Sequence, residues 1–328
     1  MINFLRKKYK HVVSSRTQIV IAKYLRKLIL PGFDGMPFYD VMRFFIEGIM
    51  KGAVATRASA ISFNLFMAIF PAVIFLFTLI PYIPIADFQD SLMEFLQNII
   101  PEQTYQTVEA TLFDIIMQPR SGLLSVGFFL ALYFATSGIN SIIEAFNQTY
   151  HTIETRGFFR QQLASVTLVL ILSLLLILGI TTITVGPVII DWLVDNRFLK
   201  GRYTVEIIVV LKWLITAGMF VLMFSTLYYF APAKKKEFRF FSAGATLASI
   251  IIILSSIGFN YYVNNFSMYN ALYGSIGTLL ILLIYIYFNS IILLLGFELN
   301  ASVRHVKYNH RGLKRRARKT SDKRVLSS

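Results

Sequence analysis

Side chains able to contact a solute or hold a charge are few in this chain, and they gather in two places. Arg57, Ser59, Ser62 and Asn64 share one otherwise apolar stretch, Thr136, Ser137, Asn140, Glu144 and Asn147 a second, and Glu298 and Asn300 close a third. At membrane depth a polar or charged group is costly unless it is paired or hydrated. An arginine and two glutamates framed by hydroxyls and amides suit a polar cluster at the inner end of a solute path. They suit equally an ion pair that tethers helices at the interface, and the residue types leave both readings open. The second place is a turn rich in Asn and Tyr, with Tyr262, Asn264, Tyr269 and Tyr273 followed by Gly274 and Gly277. Uncharged hydroxyls and amides there suit a binding vestibule. An interfacial aromatic belt with a glycine-permitted close helix approach would also account for them, although a belt has no need of the asparagines.

The chemistry of an enzyme is harder to assemble. Without cysteine the chain has no disulfide, thiolate metal site or thiol nucleophile, and its four histidines, at 11, 151, 305 and 310, are dispersed. No pair of them forms an HExxH-type metal motif. Neither a phosphate-binding GxxxxGK[ST] loop nor a GxSxG elbow occurs, and no buried Ser/Lys or Asp/Asp pair can be picked out. The expectation is a protein without catalytic residues, cofactor or metal.

The elements that must position these groups follow from hydropathy. Hydrophobic residues make up 56% of the 328, charged residues only 15%, and mean hydropathy is +0.62, outside the range of an ordinary soluble domain. Residues 240–297 contain no Asp, Glu, Lys, Arg or His. That is far more than the ~20 residues one crossing needs, so this block makes two helices joined by the Asn/Tyr turn. The same reasoning along the chain predicts six spans, at about 59–83, 123–143, 163–190, 207–231, 241–262 and 272–297. Pro71 should kink the first, since it removes a backbone donor and crowds the preceding turn. The expected fold is all-α and polytopic.

Charge sets the expected orientation, because Lys and Arg stay on the cytoplasmic side. With six spans, 27 of the 32 Lys and Arg fall on the side of both termini, leaving only Arg120, Arg197, Lys200, Arg202 and Lys212 elsewhere. Both termini are therefore expected in the cytoplasm. The first 30 residues interleave eight basic residues with short apolar runs and lack the continuous apolar region of a signal peptide. A net charge of +15 and the tail run from Arg311 to Lys319 raise the question of nucleic acid. No aromatic platform or recognisable module accompanies the charge, so no nucleic-acid partner is expected. The basic termini read instead as topology anchors that attract anionic lipid headgroups, and residues 17–30 can segregate basic and apolar faces as an interfacial helix.

Two further amphipathic regions flank the spans. In residues 37–57, Phe38, Val41, Met42, Phe45 and Ile49 share a helical face, and Gly48 and Gly52 would admit a closely packed helix. Residues 87–118 carry six carboxylates and two apolar helical stripes separated by Pro101, predicting a helical hairpin that caps the outer face. The chain divides into a basic cytoplasmic segment with amphipathic helices (1–57), a six-span domain that includes this hairpin (58–300) and a basic cytoplasmic tail (301–328).

Several of these stretches match a known family. Arg57-Ala-Ser-Ala60 with Phe70-Pro71, Tyr150, Tyr229-Phe-Ala-Pro232, Gly244, Tyr269-Asn-Ala-Leu-Tyr-Gly-Ser-Ile-Gly277 and Leu294-Leu-Gly-Phe-Glu-Leu-Asn-Ala301 resemble the YihY/BrkB family of bacterial inner-membrane proteins. The resemblance covers roughly residues 44–304, and the closing YGSIG and LLGFELNA pair is its specific part. It departs at Asn64, where members carry an aromatic residue, and at Tyr285 or Tyr287, where they carry Trp. The resemblance implies a six-span protein of the bacterial inner membrane whose biochemical function is unsettled. One branch is associated with resistance to serum killing, and some members bear an old ribonuclease BN label that the dispersed histidines do not support. Two functions follow as expectations. One is a secondary transporter or exporter of a small solute, sensitive to substitution at Asn140 or Glu144. The other is a noncatalytic envelope organiser that binds a partner or lipid through the acidic hairpin and basic termini. Oligomeric state leaves no readable motif.

Overall fold

The computed structural model describes residues 23–84, 87–99, 102–148, 156–195, 202–233, 239–265 and 275–325. The elements within them are helices: α1 (Phe38–Lys51), α2 (Val54–Leu79) with a 3-10 turn at Ile80–Tyr82, α3 (Phe88–Ile99), α4 (Glu102–Met117), α5 (Ser121–Asn147), α6 (Phe158–Asp195), α7 (Arg202–Phe230), α8 (Ala243–Asn265) and α9 (Ser275–Val325). Six of them are long and apolar enough to cross a membrane: α2, α5, α6, α7, α8 and the Leu279–His310 part of α9. The chain is an all-α, multi-pass membrane protein.

Helix ends differ from hydropathy boundaries where charge and helix propensity diverge. An uncharged block marks what fits in hydrocarbon, whereas a helix runs on until a breaker. α6 thus covers 38 residues, and α9 continues through the basic tail to Val325, over sequence free of proline and rich in Lys and Arg, which favour helix. α2 begins at Val54, so Arg57 lies inside its first turns; Ala53, in the left-handed conformation at φ 46°, separates it from α1. Pro71 sits buried within α2, which stays helical on both sides of it.

The spans pack as three antiparallel hairpins, α2 with α5, α6 with α7 and α8 with α9, closed into a ring by contacts of α5 with α6, α7 with α8, and α9 with α2. Alternating direction places α1, the last turns of α5 and α7, the first turns of α2, α6 and α8 and the C-terminal part of α9 at one end, here the terminal end. Each hairpin is knit along its length. Gly127 admits Phe75 and Gly138 admits Leu65 between α5 and α2. Thr182 meets Met219 between α6 and α7, and Ser256 bonds the Tyr285 hydroxyl at 2.8 Å between α8 and α9. Nearer the terminal end, Gly244 and Gly296 let α8 and α9 touch backbone to backbone: a Cβ on Gly244 would strike the Gly296 carbonyl and fall 2.7 Å from Asn300.

The core between hairpins is lopsided. Among the described residues, the buried apolar side chains of the six spans other than Pro71 lie in the half nearest the termini, from Val54, Ala58 and Ile61 through Ile139 to Phe146, Leu168, Phe224 to Tyr228, Ala245, Ala248 and Ile292 to Phe297. In the far half the buried positions are small or polar, such as Thr78, Gly127 and Gly277. α3 and α4 form a hairpin at the far end, burying Tyr105 and Ile116. It packs on the end of α2, where Gln89 donates to the carbonyls of Ile80 and Ile83. At the terminal end α1 lies on α9, with Val41 and Phe33 against Leu299, Val303 and Val306.

Candidate functional site

The charged residues of the spans meet at the terminal end. Arg57 Nη2 donates to Glu298 Oε1 at 2.6 Å, and its Nη1 donates to the Ala145 carbonyl at 2.7 Å. The two side chains are 6% and 3% exposed, so α2, α5 and α9 are joined through a buried ion pair. α1 closes over it. A Cβ on Gly48 would sit 3.0 Å from Glu298 Oε2, and one on Gly52 would sit 2.8 Å from Arg57 Nη2. The small-residue spacing of α1 is therefore what allows a helix to cover the pair. The expected third member, Glu144, is exposed and turned away; the helix presents its neighbour's carbonyl to Arg57 instead. A helix cannot point consecutive residues at one partner.

Directly behind the pair stands an aromatic plug. Phe146 and Phe297 stack with centroids 4.0 Å apart and planes 5° from parallel, and Tyr228 meets both, at 5.7 Å and 5.9 Å. The Tyr228 hydroxyl donates to the Leu293 carbonyl at 2.8 Å, satisfying the one polar atom the plug would otherwise bury. Tyr228 brings α7 into the contact, so all three hairpins converge on this layer.

The amides singled out from sequence act as links between elements. Asn64 donates to Ser141 Oγ at 2.8 Å, linking α2 to α5, and Ser62 turns back to its own helix at the Ser59 carbonyl. Asn140 donates to Gln162 Oε1 at 3.1 Å and accepts from Ser165 Oγ at 2.6 Å, clamping α5 to α6. Asn147 accepts from the Ala233 N–H at 3.4 Å. Asn300 accepts from the Gly244 N–H at 2.8 Å and donates to Ser242 at 2.9 Å, holding the start of α8 on α9. Asp34 bridges Arg239 and Lys307. Arg156 donates to the carbonyls of Phe230 and Pro232; burial pulls its guanidinium below the ordinary arginine value, yet an arginine so placed stays charged at neutral pH.

The residues of the expected outer vestibule are only partly placed. Tyr262 is exposed near the end of α8, and Gly277 is buried in the first turn of α9. Asn264 belongs to α8, while Tyr269, Tyr273 and Gly274 lie outside the described residues, as do Pro101 and residues 17–22 of the expected interfacial helix. Among the described residues no group of three or more His, Cys, Asp or Glu could hold a metal ion. Sequence reasoning passed over Ser225 and Asn289, whose side-chain oxygens, like that of Thr136, are buried without a hydrogen-bond partner. An uncharged residue in an apolar helix carries no mark of whether its partner exists.

A ring of six spanning helices, joined at one end by a buried ion pair and an aromatic layer, defines a polytopic integral membrane protein. The family model for "Virulence factor BrkB" matches residues 45–321, and the chain belongs to that family. It is 30% identical over 250 residues to "Putative ribonuclease-like protein YfkH" of Bacillus subtilis (strain 168), covering 75% of this chain and 88% of the relative. Two relatives named UPF0761 membrane proteins are also similar. That of Alteromonas mediterranea is 24% identical over 80% of this chain and 87% of its own length. That of Aggregatibacter aphrophilus is 26% identical over 80% and 91%. No solved structure matches the chain.

Proposed function

We propose that this protein is a secondary transporter or exporter of a small solute in the bacterial inner membrane, held with its terminal end closed. The observation that carries the reading is the lopsided core. Helices that merely anchored one another would bury apolar side chains along their whole length, whereas among the described residues the large buried apolar side chains of the spans lie in the terminal half. A bundle closed at one end and loosely joined at the other is what alternating access around a midplane site requires of one of its states. The positive-inside bias of 27 against 5 Lys and Arg supports a cytoplasmic closed end with both termini, the basic segments lying against anionic headgroups. The ribonuclease-like name of the B. subtilis relative finds no catalytic constellation among the described residues, and the role we assign is not enzymatic.

The chain's lack of cysteine makes the test direct. Ile286 lies eleven residues before Phe297, about three turns toward the far end and on the same face, and is half-buried. Phe288 is 53% exposed and on the opposite face, toward lipid. A maleimide needs water to react. The Ile286→Cys variant in intact cells should be modified by an impermeant maleimide added outside, and Phe288→Cys should not. Equal inertness of the two would remove the water-filled opening on which the transport reading depends.

A further inference from the structure

Hydroxyl groups in the spans mostly satisfy themselves. Thr78, Thr216, Ser249 and Ser290 each donate to the carbonyl four residues earlier, which hides the group from hydrocarbon. Asn64, Asn140 and Asn300 are bonded across to other elements. Three oxygens depart from this pattern. Thr136 Oγ1 on α5, Ser225 Oγ on α7 and Asn289 Oδ1 on α9 are buried and have no hydrogen-bond partner, and Thr136 and Ser225 are only 8% and 0% exposed.

Their positions are related through Arg57. By binding the Ala145 carbonyl and Glu298 together, it sets the register of α5 against α9. Thr136 is nine residues from Ala145 and Asn289 nine from Glu298, both toward the far end. Each therefore lies roughly 13 Å beyond the ion pair, near the middle of a ~30 Å hydrocarbon core. Ser225 stands three residues beyond Tyr228, between the plug and that level. Phe146 and Phe297 mark the sides of α5 and α9 that meet in the interior. At 100° per residue, Thr136 and Asn289 stand about 80° round from them, on the flank of the interior face.

We infer that these three oxygens form the inner wall of the solute site, immediately behind the closed end; the inference rests on the transport reading and gives it a substrate class. All three groups are neutral; the Thr136 and Ser225 hydroxyls can both donate and accept, whereas the amide oxygen of Asn289 can only accept. The ligand must bring N–H or O–H donors, as a small polyol or a primary ammonium does. A carboxylate such as acetate brings no donor for the Asn289 oxygen.

The test uses the full-length protein in detergent and follows thermal unfolding of the wild type and of the Thr136→Val and Asn289→Leu variants. Without ligand, both variants should keep or raise the midpoint, since each removes an unsatisfied group, whereas Asn300→Leu, which breaks two bonds, should lower it. With myo-inositol, ethanolammonium or methylammonium as probe, the wild type should show a saturable rise. The half-saturating concentration should be roughly tenfold higher in each variant, as expected for one lost hydrogen bond to a ligand. Sodium acetate and sodium phosphate should give no saturable rise. The site is overturned if both variants lower the midpoint as Asn300→Leu does, if the donor probes give no saturable rise, or if the rise is unchanged in the variants or comes from the anions. A rise unchanged in the variants would leave transport standing with its site elsewhere, and cysteine labelling at Ile286 decides the transport reading separately.

Discussion

Arg57 and Glu298 are 241 positions apart in sequence and share one bond in a place with almost no water. Removing either leaves the other charge buried and uncompensated, a change that costs about 3–5 kcal/mol in comparable settings, while replacing both by apolar side chains is close to neutral. Arg57→Met and Glu298→Leu should each lower the thermal midpoint of the detergent-solubilised protein sharply, and the double variant should recover most of the loss. Losses that simply add would mean that the two charges do not depend on each other. Both residues were legible as chemistry, because a charge at the edge of an apolar block is conspicuous. Their pairing was not, and neither was the exclusion of Glu144, which depends on the rotation of α5. Asn140 shows the same limit from the other side. Sequence presents it as a polar residue at depth, and only the placement of Gln162 and Ser165 reveals a clamp, so a loss of function on substituting it would report folding as readily as transport.

At the scale of helices, hydropathy located all six spans, because hydrocarbon imposes one requirement on every crossing element. What it could not supply was where helices stop outside the membrane or how closely they approach. α9 runs on through the basic tail because Leu299, Val303 and Val306 still form a stripe that α1 covers, a partnership hidden behind the surrounding charge. Closest approach depends on glycine, and α8 carries its own control. Gly244 touches the backbone of α9, whereas a Cβ on Gly258 would meet nothing within 4 Å. Gly244→Ala should therefore destabilise, by the ~1–3 kcal/mol typical of overpacking. Gly258→Ala should stabilise by about 1 kcal/mol through helix propensity alone. Opposite shifts of the thermal midpoint for one substitution in one helix would establish that the α8–α9 seam is set by the approach at Gly244, and shifts of the same sign would count against it.

For the whole molecule, orientation and closure are one question. The 87–118 segment carries six carboxylates and no Lys or Arg, and α3 and α4 within it lie at the end opposite α1 and the tail. On the transport reading, a cytoplasmic terminal end would make the ion pair and the plug an inner seal, with the proposed site at Thr136 and Asn289 opening outward. If that end is not cytoplasmic, the same geometry describes the reverse state, with access from the cytoplasm. A phosphatase domain inserted in the α3–α4 connection should be active, since that enzyme matures only outside the cytoplasmic membrane. A fluorescent protein fused after Ser328 should fluoresce, as it folds in the cytoplasm. The opposite pair of results would invert the direction of opening and strand 27 basic residues on the external face, against the strongest determinant of insertion. The balance of charge and the side on which the core is packed are independent properties of the chain, one read by the insertion machinery and the other set by packing. Their agreement on a cytoplasmic seal is therefore a prediction that two fusions can refute.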